Sequence, residues 1–223
     1  GSIRDSYATG DVISNIWGGG LLGMAANTVS VSSSYATGQV AGTEFVGAFV
    51  GNCFQNGGSF TNCYFENRID IPGAGSGDKE GISSIAVEQL RKRSSYVGLD
   101  FSDSESPWGI YEGYGLPYLK NIGNHILIVP TGGSKSYNGQ AVTESPAWTV
   151  SPAENYNAQQ YPLTGQLVYE NTPFEIGNYK ILPGTLNSPY YQMSFMDDVL
   201  FKIAAAVSGG GSGGGTPAQP TIP

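Results

Sequence analysis

Charge, histidine, cysteine and long apolar runs are all scarce in this chain, and each scarcity excludes something. Only 13% of the 223 residues are charged, with 10 Lys and Arg against 18 Asp and Glu. The net charge of −8 and pI near 4.5 exclude nucleic acid as a partner, because displacing counterions from phosphates needs clustered cations. The acidity is spread out: residues 1–123 carry seven basic and twelve acidic side chains, residues 124–223 three and six. His125 is the single histidine and Cys53 and Cys63 the only cysteines, too few and too far apart for a zinc pattern. No apolar run approaches the ~20 residues that cross a bilayer as a helix, so no membrane insertion is expected. No leader is visible either; Gly1-Ser2 reads as a cloning remnant and the chain as an excised fragment.

What is abundant is Gly, at 33 residues, and Tyr, at 14. With Ser, Thr, Asn and Val, this composition suits short strands and tight turns. The strongest pattern is internal repetition. Ser6-Tyr7-Ala8-Thr9-Gly10 recurs, at an offset of 28, as Ser34-Tyr35-Ala36-Thr37-Gly38. Val12 then matches Val40, and Gly19-Gly20-Leu21-Leu22-Gly23 matches Gly47-Ala48-Phe49-Val50-Gly51. Gly58 to Tyr64 repeats the element around Val29 to Tyr35 once more, at an offset of 29.

Within each copy, apolar and small polar residues alternate, the period of a strand with one buried face. A unit this short cannot bury that face alone, so successive copies must stack. Three short strands in each copy predict an all-β fold, a parallel β-helix (solenoid). Equivalent residues then lie about 4.8 Å apart, with Gly expected at the corners. Ser30 to Ser34 is expected to be the polar face of a strand.

Gly-Gly-Leu-Leu-Gly followed by Ser-Tyr-Ala-Thr-Gly-x-Val resembles the GLUG repeat of filamentous-haemagglutinin-like bacterial adhesins. Asn62-Cys63-Tyr64-Phe65 resembles the ending of such arrays, and Ile85 to Leu119, with Trp108-Gly109-Ile110 and Leu116-Pro117-Tyr118-Leu119, resembles the segment that follows them. The resemblance covers residues 5–120 and implies a β-helical rod with no single shared ligand. Residues 1–67 are accordingly assigned to solenoid coils and 68–123 to a capping segment. Ser84 is expected to N-cap a short helix through Arg93. Phe101, Trp108, Ile110, Tyr118 and Leu119 are expected to cover the open end, where free strand edges would invite aggregation.

From Ile126 the period is lost. Apolar runs at Ile126–Val129, Leu163–Tyr169, Ile176–Ile181 and Tyr190–Ile203, separated by Pro and Asn-Gly, predict about six short strands over 124–207. Lys-x-Tyr-Asn-Gly at 135–139, Ile176 to Ile181 and Tyr190 to Ile203 resemble MBG/YDG modules of long adhesins, which implies a small β-sandwich or β-grasp-like module. Asn138, Asn178 and Tyr190 depart from that family's motifs. Residues 208–223, rich in Gly and then Pro, read as a flexible linker.

Catalysis on a β-helix needs paired carboxylates, or acids with a base, projecting together. The copies offer Asp5, Asp11 and Glu44 with Arg4, and Asp11 aligns with Gln39, so no ladder of acids forms. No enzyme activity, cofactor or metal is expected. Asp100/Asp103/Glu105 and Asp197-Asp198 lack ion-loop spacing and read as solvated turns; His125 reads as a hinge or surface histidine. Cys53 and Cys63 flank Gly57-Gly58, either as a disulfide across consecutive strands or as two core thiols. Arg91-Lys92-Arg93 is either a contact for an anionic polysaccharide or a solvated helix end. Ala205-Ala206 resembles the di-alanine sites where periplasmic proteases release biofilm adhesins. The resemblances imply a secreted surface or biofilm-matrix protein. Its expected partners are a polysaccharide or another surface ligand, and neighbouring repeats of the same parent chain.

Overall fold

Each strand of the first repeat copy lies beside its counterpart in the second, parallel and one repeat away. The computed structural model describes residues 1–68, 71–76 and 79–206. The first copy supplies β1 (Ser2–Arg4), β2 (Tyr7–Ala8), β3 (Val12–Ile16) and β4 (Leu22–Ala25). The second supplies β5 (Ser30–Ala36), β6 (Val40–Glu44) and β7 (Val50–Cys53). Tyr7 pairs with Tyr35, Val12 with Val40 and Leu22 with Val50. β8 (Ser59–Glu66) joins β5 with Tyr64 beside Tyr35, the offset of 29 that the sequence carries. Three separate parallel sheets result: β1–β5–β8 with β2 on β5, then β3–β6, then β4–β7.

Period-two alternation, reset by the left-handed residues Ser33 and Asn62, sorts the side chains between two cores. Val31 and Ala36 face inward with Ala25, Phe49, Val50, Cys53, Phe60, Cys63 and Phe65. Each fully buried aliphatic or phenyl group there stabilises by about 1.5–3 kcal/mol relative to exposure. Ser34 is buried, not part of a polar face: its hydroxyl donates to Ser32 O and accepts from Ser6 N–H.

The corners differ from expectation. The left-handed bends are held by Asp5, Ser33 and Asn62 (φ 46, 49 and 52°), one per copy, and by Trp17 and Phe45 (φ 64 and 49°). Gly58 (φ 84°) makes such a bend ahead of β8, whereas Gly19 and Gly38 serve close approach: a Cβ on Gly19 would overlap Leu22 O, and one on Gly38 would overlap Gly10 O.

The expected helix at 84–93 is absent. Ile82–Ile85 is a strand, β9, pairing with β8, followed by single 3-10 turns at Val87–Gln89 and Arg93–Ser95. The free edge of β8 takes up the backbone groups a helix would need, as Cys63 N donates to Gly81 O and Asn67 N to Ile85 O.

Beyond β9 the segment packs on one face of the repeat. It lies across Tyr7, Tyr35 and Tyr64, which one register brings side by side on three successive strands. Leu90, Tyr96, Leu99, Trp108 and Leu119 build a second core on them, Trp108 and Leu119 from the short antiparallel pair β10 (Trp108–Gly109) and β11 (Tyr118–Leu119). Tyr35 OH donates to Pro117 O (2.6 Å), Tyr64 OH to Val97 O, and Trp108 Nε1 to Asp5 Oδ1 (3.2 Å). The tyrosine periodicity encodes a lateral docking face.

The remaining strands are β12 (Asn124–Pro130), β13 (Gly133–Ser136), β14 (Trp148–Ser151), β15 (Val168–Tyr169), β16 (Gly177–Leu182), β17 (Tyr191–Phe195) and β18 (Leu200–Ala204). Of the described residues, one compact unit holds those within 1–129, 149–164 and 187–196; the other holds 130–148, 165–186 and 197–206. In the first, β12 pairs in parallel with β17, and β14 flanks β12. The second is built on the four-stranded sheet β13–β18–β16–β15, with Val142, Leu167, Ile181, Leu186 and Ile203 buried. The described chain is all-β, with 3-10 turns as its helical segments. The expected linker 208–223 lies outside the described residues.

Candidate functional site

The most distinctive surface feature arises from β3 and β6. Parallel pairing sets Ile16 beside Glu44, and Trp17 N donates to Glu44 O (3.0 Å), so Trp17 and Phe45 follow the two strands at the same bend. Both adopt left-handed backbone, which for a side chain of this bulk costs about 1–2 kcal/mol. Both also remain exposed, at 44% and 42%, as does Ile13 near the start of β3 at 90%. Gly51 packs against the Trp17 backbone and Gly75 against that of Phe45, where a Cβ would overlap. A glycine-rich chain thus keeps strained aromatic residues on its surface at a repeat interval. Sequence reasoning missed the pair, although the repeat offset aligns Trp17 with Phe45.

The basic cluster sits on one exposed turn. Arg93 N–H donates to the Glu112 carboxylate (3.0 Å), and its guanidinium lies 5.5 Å from the Phe101 ring centre. Arg91 O accepts from Gly113 N–H (2.8 Å), and Lys92 is exposed. This turn follows the 3-10 segment at Val87–Gln89, not a helix end, so no helix dipole acts on it. It has the cations an anionic sugar would need, on an open surface.

Cys53 and Cys63 are free, buried thiols in the inner core, not a disulfide. Parallel pairing aligns Cys53 with Ala25 and Cys63 with Ser34, in different sheets. Burial pushes the Cys63 thiol pKa up.

Two acids of the repeat make hydrogen bonds within the fold. Asp5 accepts from Trp108 Nε1 and Arg4 Nε, and Asp11 accepts from the backbone of Gln39 (2.8 Å). Asp103 caps a turn by accepting from Glu105 N and Ser106 N, while Lys120 donates to Asp103 O and Ser106 Oγ. A hydrogen bond from Ser102 holds the Asp100 carboxyl below its usual range. Asp197 and Asp198 are exposed between Phe195 and Leu200. Among the described residues no group of three His, Cys, Asp or Glu side chains is placed to hold a metal ion.

His125 is stacked on Tyr118 (4.1 Å), its Nε2 is 2.8 Å from Ile122 O, and burial holds its pKa below the ordinary value. Ala205 and Ala206 are exposed directly after β18, which is the accessibility a protease needs. No family model, no curated protein and no solved structure matches the chain.

Proposed function

We propose that this chain is a structural and adhesive segment of a large secreted bacterial surface or biofilm-matrix protein, serving as stalk and display module. In this reading residues 1–67 are coils of a parallel β-solenoid of GLUG type, and residues 124–207 a small MBG/YDG-like β module. One observation carries it: a single repeat register governs three separate parallel sheets at once. A register shared in this way extends by addition of further copies, each burying its neighbour's apolar face. Extended arrays suit adhesion because many weak contacts sum through effective concentration.

Beads coated with the chain should be retained on bacterial biofilm or host-cell surfaces well above albumin-coated beads; equal retention would sink the adhesive reading. The solenoid has its own test. Duplicating residues 10–37 in tandem should raise both the urea midpoint and the m-value, since an added coil adds an interface and buried surface. A duplication that unfolds the protein would exclude it.

The runner-up is a glycan-binding module that uses the exposed Arg91-Lys92-Arg93 turn for an anionic polysaccharide, favoured by the stacking of Arg93 on Phe101. Salt-sensitive alginate binding lost in the triple alanine variant would favour it. Both readings are non-enzymatic, and release of reducing sugar from pectin, alginate or mannan would overturn both.

A further inference from the structure

Four tyrosines from two distant segments meet in the first compact unit. Tyr156 and Tyr161 come from the loop after β14, and Tyr190 and Tyr191 from the start of β17. Tyr191 is buried, and its hydroxyl accepts from Asn157 N–H (2.8 Å); Tyr156 packs edge-on against it (5.5 Å) and accepts from Leu163 N–H (3.3 Å). These two form a floor locked by main-chain hydrogen bonds. Above it, Tyr161 and Tyr190 stack face to face, with ring centres 3.6 Å apart and planes within 10°. Tyr190 is 39% exposed and Tyr161 is partly exposed.

The surroundings restrict what can bind. Residues 156–164 and 187–192 contain no Asp, Glu, Lys or Arg. They do carry exposed amides at Asn157, Gln159, Gln160, Asn187 and Gln192. The carbonyls of three are engaged within the protein, Asn157 Oδ1 accepting from Gln160 N–H, Gln160 Oε1 from Asn157 Nδ2 and Gln192 Oε1 from Tyr7 OH, so these amides face a ligand chiefly as donors, a match for hydroxyl oxygens. Rigid tyrosines supply amphipathic contact area at small entropic cost, and amides supply adaptable hydrogen bonds. A ligand with flat C–H faces, many hydroxyls and no charge fits this chemistry.

We infer that the Tyr161–Tyr190 pair and its flanking amides form a binding platform for neutral hexopyranosyl glycans. A pyranose ring stacks its C–H face on the outward face of a tyrosine, and its hydroxyls exchange hydrogen bonds with the amides. The inference deepens the adhesive reading, on which it rests, by naming a ligand class. It also separates that class from the anionic sugar expected at Arg91–Arg93, which lies on another surface segment and works through charge.

The test uses the full chain on an array of neutral hexopyranosyl oligosaccharides, with alginate, hyaluronan and heparin fragments alongside. The expected result is retention of at least one neutral oligosaccharide, insensitive to 0.5 M salt. Its Kd, measured by calorimetry, should weaken about tenfold or more in Tyr161→Ala and Tyr190→Ala, roughly 1.4 kcal/mol or more. It should be unchanged when Arg91, Lys92 and Arg93 become alanine. In wild-type protein the same oligosaccharide should perturb the tyrosine ultraviolet spectrum, a readout that does not depend on the variants folding. The inference is overturned if no neutral oligosaccharide is retained, if binding survives both tyrosine variants, or if a peptide array gives the only Tyr161-dependent signal. Coated beads that still attach to biofilm while the array stays silent would remove this site and leave the adhesive reading standing.

Discussion

Trp17 and Phe45 occupy equivalent bends, a repeat apart, and both hold them in left-handed backbone. Asn adopts this conformation with little strain, whereas β-branched side chains clash. Stability should therefore rank against hydrophobicity here. Trp17→Val should unfold at lower urea than Trp17→Asn, by about 1–2 kcal/mol, and the same order should hold at Phe45. If valine equals or exceeds asparagine at both positions, the bends are not left-handed.

Gly10 and Gly38 are equivalent in sequence but not in space. A Cβ on Gly38 would run into Gly10 O, while one on Gly10 meets nothing within 4 Å. Gly38→Ala should cost about 2 kcal/mol or more through backbone displacement, and Gly10→Ala should stay within about 0.5 kcal/mol. Chemical denaturation of the two variants measures the asymmetry. Equal costs would contradict the stacked register.

The repeat register is legible in the sequence because it rests on local identity: Tyr7 and Tyr35, or Val12 and Val40, align by residue type alone. What is not legible depends on distant partners. Ser84 reads as the N-cap of a short helix, yet Ile85 pairs with Glu66 because β8 presents an open edge to it. Trp108 and Leu119 are recognisable as core residues, but not that three register-aligned tyrosines receive them. The Tyr161–Tyr190 pair joins two segments that share no motif, so nothing local announces it.

Both cysteines should prove unbonded and shielded. Iodoacetamide should modify neither Cys53 nor Cys63 in the folded protein, given their burial and the raised Cys63 pKa. Both should be modified after denaturation without reductant, as peptide mass spectrometry would read. An intact 53–63 linked peptide under those conditions would reinstate the disulfide.

Tyr35 ties the repeat to the segment that docks on it. Tyr35→Phe removes the donor to Pro117 O and should cost about 1–2 kcal/mol for a buried acceptor left unpaired. Tyr35→Ala, which also empties a site against Tyr7, Tyr96 and Trp108, should cost about 3–5 kcal/mol. Urea titration of each variant, followed by Trp fluorescence, checks both. A Phe variant as stable as wild type would deny the hydrogen bond its role.

His125 makes stability depend on pH in a defined direction. Its pKa is lowered from 6.5 chiefly by burial, partly offset by the hydrogen bond to Ile122 O, while Tyr118 stacks on the neutral ring and Tyr111 OH donates to His125 O. The unfolded chain therefore binds a proton at a higher pH than the folded one does. Above the unfolded pKa neither state is protonated and there is no penalty; as pH falls through about 6.5, protonation favours the unfolded state. The melting temperature should drop between pH 7 and pH 5.5, and His125→Phe, which keeps the stack on Tyr118, should flatten that drop. An unchanged slope in the Phe variant would show that another group sets it.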